Sequence, residues 1–278
     1  MKRHFYNGQE YQLDEVNKRV EILPTFLDKL RQKKLWGKFG FKKIGGSLIG
    51  NVLNLSRFGS PFAAFCRIFW IDHPPLDRKY LNAGQKIEPI VIDFLREKIA
   101  HPIETFDAVK YNYDYFADRH PVVGGLPDAY VKETNMIIEV KTTAEKNWDF
   151  WLMNKPPSHY IRQAQIYAHL IGADRFTIVA TFLKENDYED PANYDIKDRK
   201  VKNWNFKVNL PQVKDDLEKA ENWYRQVTVS GKSPTYNLDI DADLVAWLRC
   251  RNLDEWLDLK KNWIESGKLI LPTQESNS

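Results

Sequence analysis

Apolar and polar positions change their spacing several times along the chain, and each change predicts an element. Helical spacing predicts a helix over roughly 13–34, interrupted near Pro24, followed by a turn rich in glycine from Gly37 to Gly46. Short helices are expected at about 47–54 and 60–70, the second opened by Ser60 as N-cap and Pro61 at the first helical position. From Asp77 the spacing is again helical, and the stretch 88–100 (EPIVIDFLREKIA) is amphipathic, with Pro89 in a first turn. The period then falls to that of strands over 109–116, 122–131 and 135–141, separated by turn residues. A helix over 158–171, a strand over 175–183, an acidic loop over 184–198 and a strand over 204–210 come next. A long helix over 213–229 and a Trp-rich helical tail over 241–266 complete the chain. The order predicts an α/β (α+β) fold: a small mixed sheet flanked by helices.

Composition supports a folded globular protein of 278 residues, 43% hydrophobic and 28% charged, with nine Trp, thirteen Tyr and fifteen Phe. No apolar run approaches the roughly 20 residues of a membrane-spanning helix, and the first residues lack a signal peptide's apolar stretch. A cytoplasmic protein with no membrane partner is expected. Cys66 and Cys250 form no CxxC pair, which excludes an iron–sulfur cluster or zinc site built on cysteine alone. The six histidines form no HxH or HExxH pattern, and no phosphate-cradling GxxxxGK[ST] is present. A net charge of +3 is too small to diagnose a polyanionic partner. Charge is nevertheless uneven: Lys29, Arg31, Lys33, Lys34, Lys38, Lys42 and Lys43 follow one another with no acid between them, interleaved with Leu30, Leu35, Trp36, Phe39 and Phe41. Such a run is either a solvated helix face or a surface that holds phosphates.

The chemistry-bearing stretch is Gly124-Gly-Leu-Pro-Asp128 followed by Met136-Ile-Ile-Glu139-Val140-Lys141. On a strand, residues two apart share a face, so Glu139 and Lys141 project together while Ile138 and Val140 face a core. A turn over Lys132 to Asn135 would bring Asp128 alongside Glu139. Two carboxylates, one amine and the Val140 carbonyl then converge at one sheet edge, a donor set suited to a hard divalent cation. The plainer reading is an exposed hairpin carrying an ordinary Glu/Lys pair.

Together these residues resemble the PD-(D/E)xK nuclease signature, in which Asp128 and Glu139 would bind metal and Lys141 would be catalytic. Tyr160, Gln163 and Tyr167 lie at i, i+3 and i+7 on the next predicted helix, similar to the Y-x-x-Q and Q-x-x-x-Y motifs of RecB-like and lambda-exonuclease-like nucleases. Gly84-Gln-Lys-Ile-Glu88 resembles their G-x-x-x-E helix, whose Glu lies by the metals; alone, Glu88 would read as a charge stabilising a helix N-terminus. Ile44-Gly-Gly-Ser47, with Ser60-Pro61 downstream, resembles the opening of the YqaJ-like viral recombinase family, placing Ser47 at a DNA 5′-phosphate. Lys42 or Lys43 would stand in for that family's arginine, and Tyr160 and Tyr167 would contact DNA.

The resemblance covers about residues 41–185. It implies a restriction-endonuclease-like core within a single domain, with a basic helical extension over 1–40 and a strand-plus-helix extension over 186–278. It implies a Mg²⁺-dependent (or Mn²⁺-dependent) deoxyribonuclease, an exonuclease on linear double-stranded DNA acting in recombination or repair. Asp128, Glu139, Val140 and Glu88 would serve the metal, Lys141 would activate water, and Gln163 would hold the reacting group. Partners would be DNA, further copies of the chain and a single-strand annealing protein. The alternatives are an endonuclease on the same fold and a non-catalytic DNA-binding recombination protein.

Overall fold

The computed structural model describes residues 3–35 and 39–271. Trp36 and Lys38 of the basic run, and Gly37 of the expected turn, lie outside the described residues. The chain forms β1 (Tyr11–Asp14), β2 (Arg19–Ile22), α1 (Pro24–Arg31), α2 (Gly46–Val52), α3 (Pro61–Ile68), α4 (Lys79–Arg96), β3 (Glu104–Thr105), β4 (Ala129–Val131) and β5 (Met136–Ala144). It continues through α5 (Trp148–Asn154), α6 (Ser158–Ile171), β6 (Arg175–Leu183), α7 (Glu185–Glu189), β7 (Lys200–Lys207), α8 (Leu210–Ser230), α9 (Leu238–Arg249) and α10 (Leu253–Glu265). These divide into two compact units, one of residues 1–42, 57–78 and 225–278, the other of 43–56 and 79–224. The second unit thus takes in β7 and most of α8 from the stretch read as an extension, while residues 57–78 belong to the first.

In the first unit, β1 and β2 pair antiparallel, with Tyr11 opposite Ile22 and Asp14 opposite Arg19. The helix expected from residue 13 is therefore a hairpin up to Pro24. Tyr11, Leu13, Val20 and Ile22 are buried while their neighbours are not, a strand period that the helical reading overlooked. The Asp14 carboxylate accepts the Asn17 N–H at 2.9 Å, and Lys18 turns the chain at φ +50°. Helix α3 begins as expected, the Ser60 hydroxyl accepting the Ala63 N–H at 3.0 Å. Trp247, Trp256 and Trp263 of the tail are buried and pack edge to face, which makes them core.

The second unit is built on a five-stranded mixed sheet of order β3-β4-β5-β6-β7. Strand β5 pairs antiparallel with β4 and parallel with β6 (Ile138 opposite Thr177), and α6 supplies the crossover between them. Helix α4 covers one face, with Ile87, Val91 and Ile92 packed on Ile138 and Val140. Helix α6 covers the other, Ala164 and Ala168 packing with Ile137, Phe176 and Ile178. Being buried on both faces explains why β6 reads as a largely apolar run, with only Thr177 and Thr181 polar after its first residue. Gly172, at φ +84°, ends α6 in the left-handed conformation that a side chain would resist.

Four expectations are corrected here. Helix α4 starts nine residues ahead of Glu88, so Pro89 lies inside it and offers no N–H to the Gln85 carbonyl. No strand forms over 109–116: the Asp107 carboxylate takes the Val109 and Lys110 N–H groups, and Asn112 and Tyr113 both adopt positive φ. Of 122–131 only Ala129–Val131 is strand, because Gly124, Gly125 and Pro127 bend or starve the ladder ahead of it. The acidic stretch 184–198 is more ordered than a loop. It holds α7 and two short 3₁₀ turns, tied down by a buried Asp187–Arg199 pair with two contacts of 2.6 Å.

Candidate active site

The middle of β5 sets the site. Register with β4 places Ala129 opposite Ile138, and so Asp128 opposite Glu139. The Asp128 carboxylate closes the strand end by accepting the Val140 N–H at 2.7 Å. As the two-residue period requires, Glu139 and Lys141 share a face, and Lys141 Nζ donates to Glu139 Oε1 at 2.6 Å. That face looks toward α6, from which Gln163 Nε2 donates to the same oxygen at 2.6 Å. Glu139 is only 1% exposed, and its other oxygen, Oε2, is buried without a hydrogen-bond partner among the described residues. A buried carboxylate oxygen left unpaired is costly unless some ligand satisfies it.

Charge in the site is unbalanced. Burial first, and the Asp128 and Glu88 carboxylates after it, push Glu139 up to about 8 against the pull of Lys141. Burial and the charge of Asp128 push Glu88 up to about 7. Asp128 is raised as well, chiefly by burial, with Lys141 and the Val140 N–H opposing. Burial favours a neutral Lys141, but Glu139 and Asp128 outweigh it and hold the proton on the amine. Three carboxyl groups with one cation cannot all ionise freely in a low-dielectric pocket, and protons stay on them instead. Among the described residues, no three His, Cys, Asp or Glu side chains close into one tight metal cluster. Glu88 is felt electrostatically, from α4, outside the hydrogen-bonded set of Asp128, Glu139, Lys141 and Gln163.

Around this set, α2 and the loop before β4 are held by Tyr167. A Cβ on Gly46 would lie 2.2 Å, and one on Gly125 2.1 Å, from the Tyr167 hydroxyl. Only glycine permits both segments to close on that phenol. Tyr167 is 3% exposed, so it locks backbone together and presents no face to a ligand; the expectation that it contacts DNA is corrected. Ser47, one residue into α2, is exposed beside this junction. The half-buried ring of Tyr160 lies 5.0 Å from Lys141 Nζ. Lys43 points its ammonium at the Ala117 and His120 carbonyls (3.1 and 2.7 Å) and at Asp114 (3.0 Å), engaged within the protein and not directed at a phosphate. Lys42 belongs to the other unit, where it pairs with Asp72 at 3.6 Å and lies 4.0 Å over the Trp70 ring.

Asp114 is a positioning residue that sequence reasoning missed. Its Oδ1 accepts the Gly125 and Phe116 N–H groups at 3.0 Å each, fixing the turn that leads to Asp128. A lone Asp in a tyrosine-rich loop gives no local signal of that role.

No family model matches the chain. Its sequence is 26% identical over 287 residues to the uncharacterized protein MG373 of Mycoplasma genitalium, an alignment covering 88% of this chain and 98% of that one. The MG373 homolog of Mycoplasma pneumoniae is 24% identical over 239 residues, covering 71% and 84%. Among solved structures, LHK-Exo in complex with dAMP aligns with a TM-score of 0.50 at 14% identity, over 74% of this chain and 92% of that one. The chain shares the fold of LHK-Exo. A second LHK-Exo structure, described as an alkaline exonuclease from Laribacter hongkongensis, aligns at a TM-score of 0.46 and 13% identity over 80% and 94%. The five-stranded mixed sheet flanked by helices, an architecture shared with LHK-Exo, is the α/β arrangement that the order of elements implied. Among the described residues, no helix is long and apolar enough to cross a membrane.

Proposed function

We propose that the protein is a divalent-metal-dependent deoxyribonuclease, an exonuclease on linear duplex DNA. The observation that carries this reading is Glu139, buried, with Oε1 held by Lys141 and Gln163 and Oε2 without a partner among the described residues, beside Asp128 at the residue just ahead of β4. A cation would satisfy Oε2, offset the burial that disfavours the charged carboxylates, and relieve the repulsion that Asp128 exerts on Glu139 and Glu88. Asp128, Glu139 and the Val140 carbonyl would hold it, with Glu88 beside them, and the all-oxygen donor set suits Mg²⁺ or Mn²⁺. When bound, the ion supplies Lewis acidity that neutralises charge building on the phosphate oxygens.

The protein's own residues do the rest. A cation held by Asp128 and Glu139 would weaken the pull that keeps the proton on Lys141, while burial favours the neutral amine. That amine can accept a proton from a water attacking phosphorus as the P–O3′ bond breaks. Gln163, anchored on α6, keeps Glu139 in one rotamer, and the α2 turn bearing exposed Ser47 borders the place where a strand end would lie.

Cleavage of linear duplex DNA with and without Mg²⁺ tests the proposal, with Asp128→Asn as the control. Wild type should degrade linear DNA at least about a thousandfold faster than the variant, leave covalently closed circles intact and stop in chelator. Equal rates for the two proteins would refute the site. Cutting of circles would make the enzyme an endonuclease.

A further inference from the structure

We propose that His159 contacts the DNA strand, donating a ring N–H to a phosphate oxygen beside the scissile bond. The inference rests on the deoxyribonuclease reading and adds a substrate contact to it.

His159 lies in the first turn of α6, four residues before Gln163 and so on the same face of the helix. Gln163 reaches Glu139 from that face, which aims His159 along the same side, one turn nearer the helix start. The ring is half-buried and packs near Tyr160, whose own ring lies 5.0 Å from Lys141 Nζ; burial first, and the Lys141 charge after it, lower the imidazole's pKa. It is gripped by packing: its ring lies 4.1 Å from that of Tyr160, and a Cβ on Gly50 of α2 would come within 2.5 Å of its own Cβ. Helix α2 thus approaches closely only because residue 50 is glycine. Yet neither ring nitrogen has a hydrogen-bond partner among the described residues. The ring nitrogens are thus open to solvent, and so to a ligand, in an orientation that the packing fixes.

The neutral ring presents one N–H donor and one acceptor, and carries no charge of its own. Of the groups a DNA strand offers at a backbone-facing site, phosphate oxygens are the acceptors that recur on every nucleotide. A neutral donor there suits an enzyme that must hold successive nucleotides of any sequence without trapping them.

The test is a substrate–protein double-mutant cycle in Ca²⁺, which supports binding without turnover, read by fluorescence anisotropy of a labelled duplex. Single neutral methylphosphonates are placed in turn at the first few phosphates of the cleaved strand. For wild type one position should weaken binding about tenfold, and His159→Ala should abolish that penalty while leaving those at other positions unchanged. His159→Asn and His159→Gln, which retain an N–H donor, should restore part of it and guard against loss of folding in the alanine variant. Identical penalties in wild type and His159→Ala at every position would overturn the contact and leave the nuclease assignment standing. Failure of wild type itself to bind DNA in Ca²⁺ would overturn both.

Discussion

Mg²⁺ affinity should rise steeply with pH, because the carboxylates that would hold the ion begin partly protonated. Glu139 sits at about 8 without a cation, so about 1% is ionised at pH 6 and half at pH 8. Loss of that one proton makes binding about 50-fold tighter across the interval, worth roughly 2.3 kcal/mol. Glu88, at about 7, adds about a further tenfold if it ionises as well. The sign for folding runs the other way. A carboxyl raised above its unfolded value binds more protons in the native state, so the metal-free protein should lose stability as pH climbs from about 4.5 to about 8. Saturating Mg²⁺ should return that stability, most at the alkaline end. Calorimetric titration of the DNA-free protein with Mg²⁺ at pH 6, 7 and 8, in two buffers of different protonation enthalpy, counts the protons released. Between one and two per ion are expected near pH 7, and fewer for Glu139→Gln. Zero release with equal affinity at pH 6 and pH 8 would refute the charge argument.

Other substitutions probe the scaffold. Gly125→Ala places a Cβ against the Tyr167 hydroxyl at φ +133°, and should cost about 1–3 kcal/mol in urea denaturation, partly regained in combination with Tyr167→Phe. Lys43→Met should cost about 1–3 kcal/mol by stranding the carbonyls and the carboxylate it serves. It should leave the salt dependence of DNA binding unaltered, whereas a phosphate-binding Lys43 would lower that slope by about one. Arg199→Ala leaves the buried Asp187 carboxylate with the Lys184 N–H but without its counter-charge, and a loss of about 3 kcal/mol is expected with the urea m-value unchanged.

Local sequence determined the elements that carry the chemistry. The two-residue period put Glu139 and Lys141 on one face, the turn before β5 paired Asp128 with that strand, and α6 and β6 lie where their spacing placed them. Those features depend on neighbours within a few tens of residues, and the physics of one strand or helix suffices. Where side chains compete with the backbone, the pattern misled: Asp14 and Asp107 take amide hydrogens that helix or ladder bonds would otherwise use. Only tertiary structure decided the rest. Burial makes Glu139 a carboxylate with one satisfied oxygen and one orphan, and only α6 packing brings Gln163 to it. The Tyr167 phenol could be told from a DNA contact only once two glycines distant in sequence closed on it. Lys43 likewise found carbonyls over seventy residues away. Distances between segments, and the desolvation they impose, are properties of the packed chain that no spacing along it encodes.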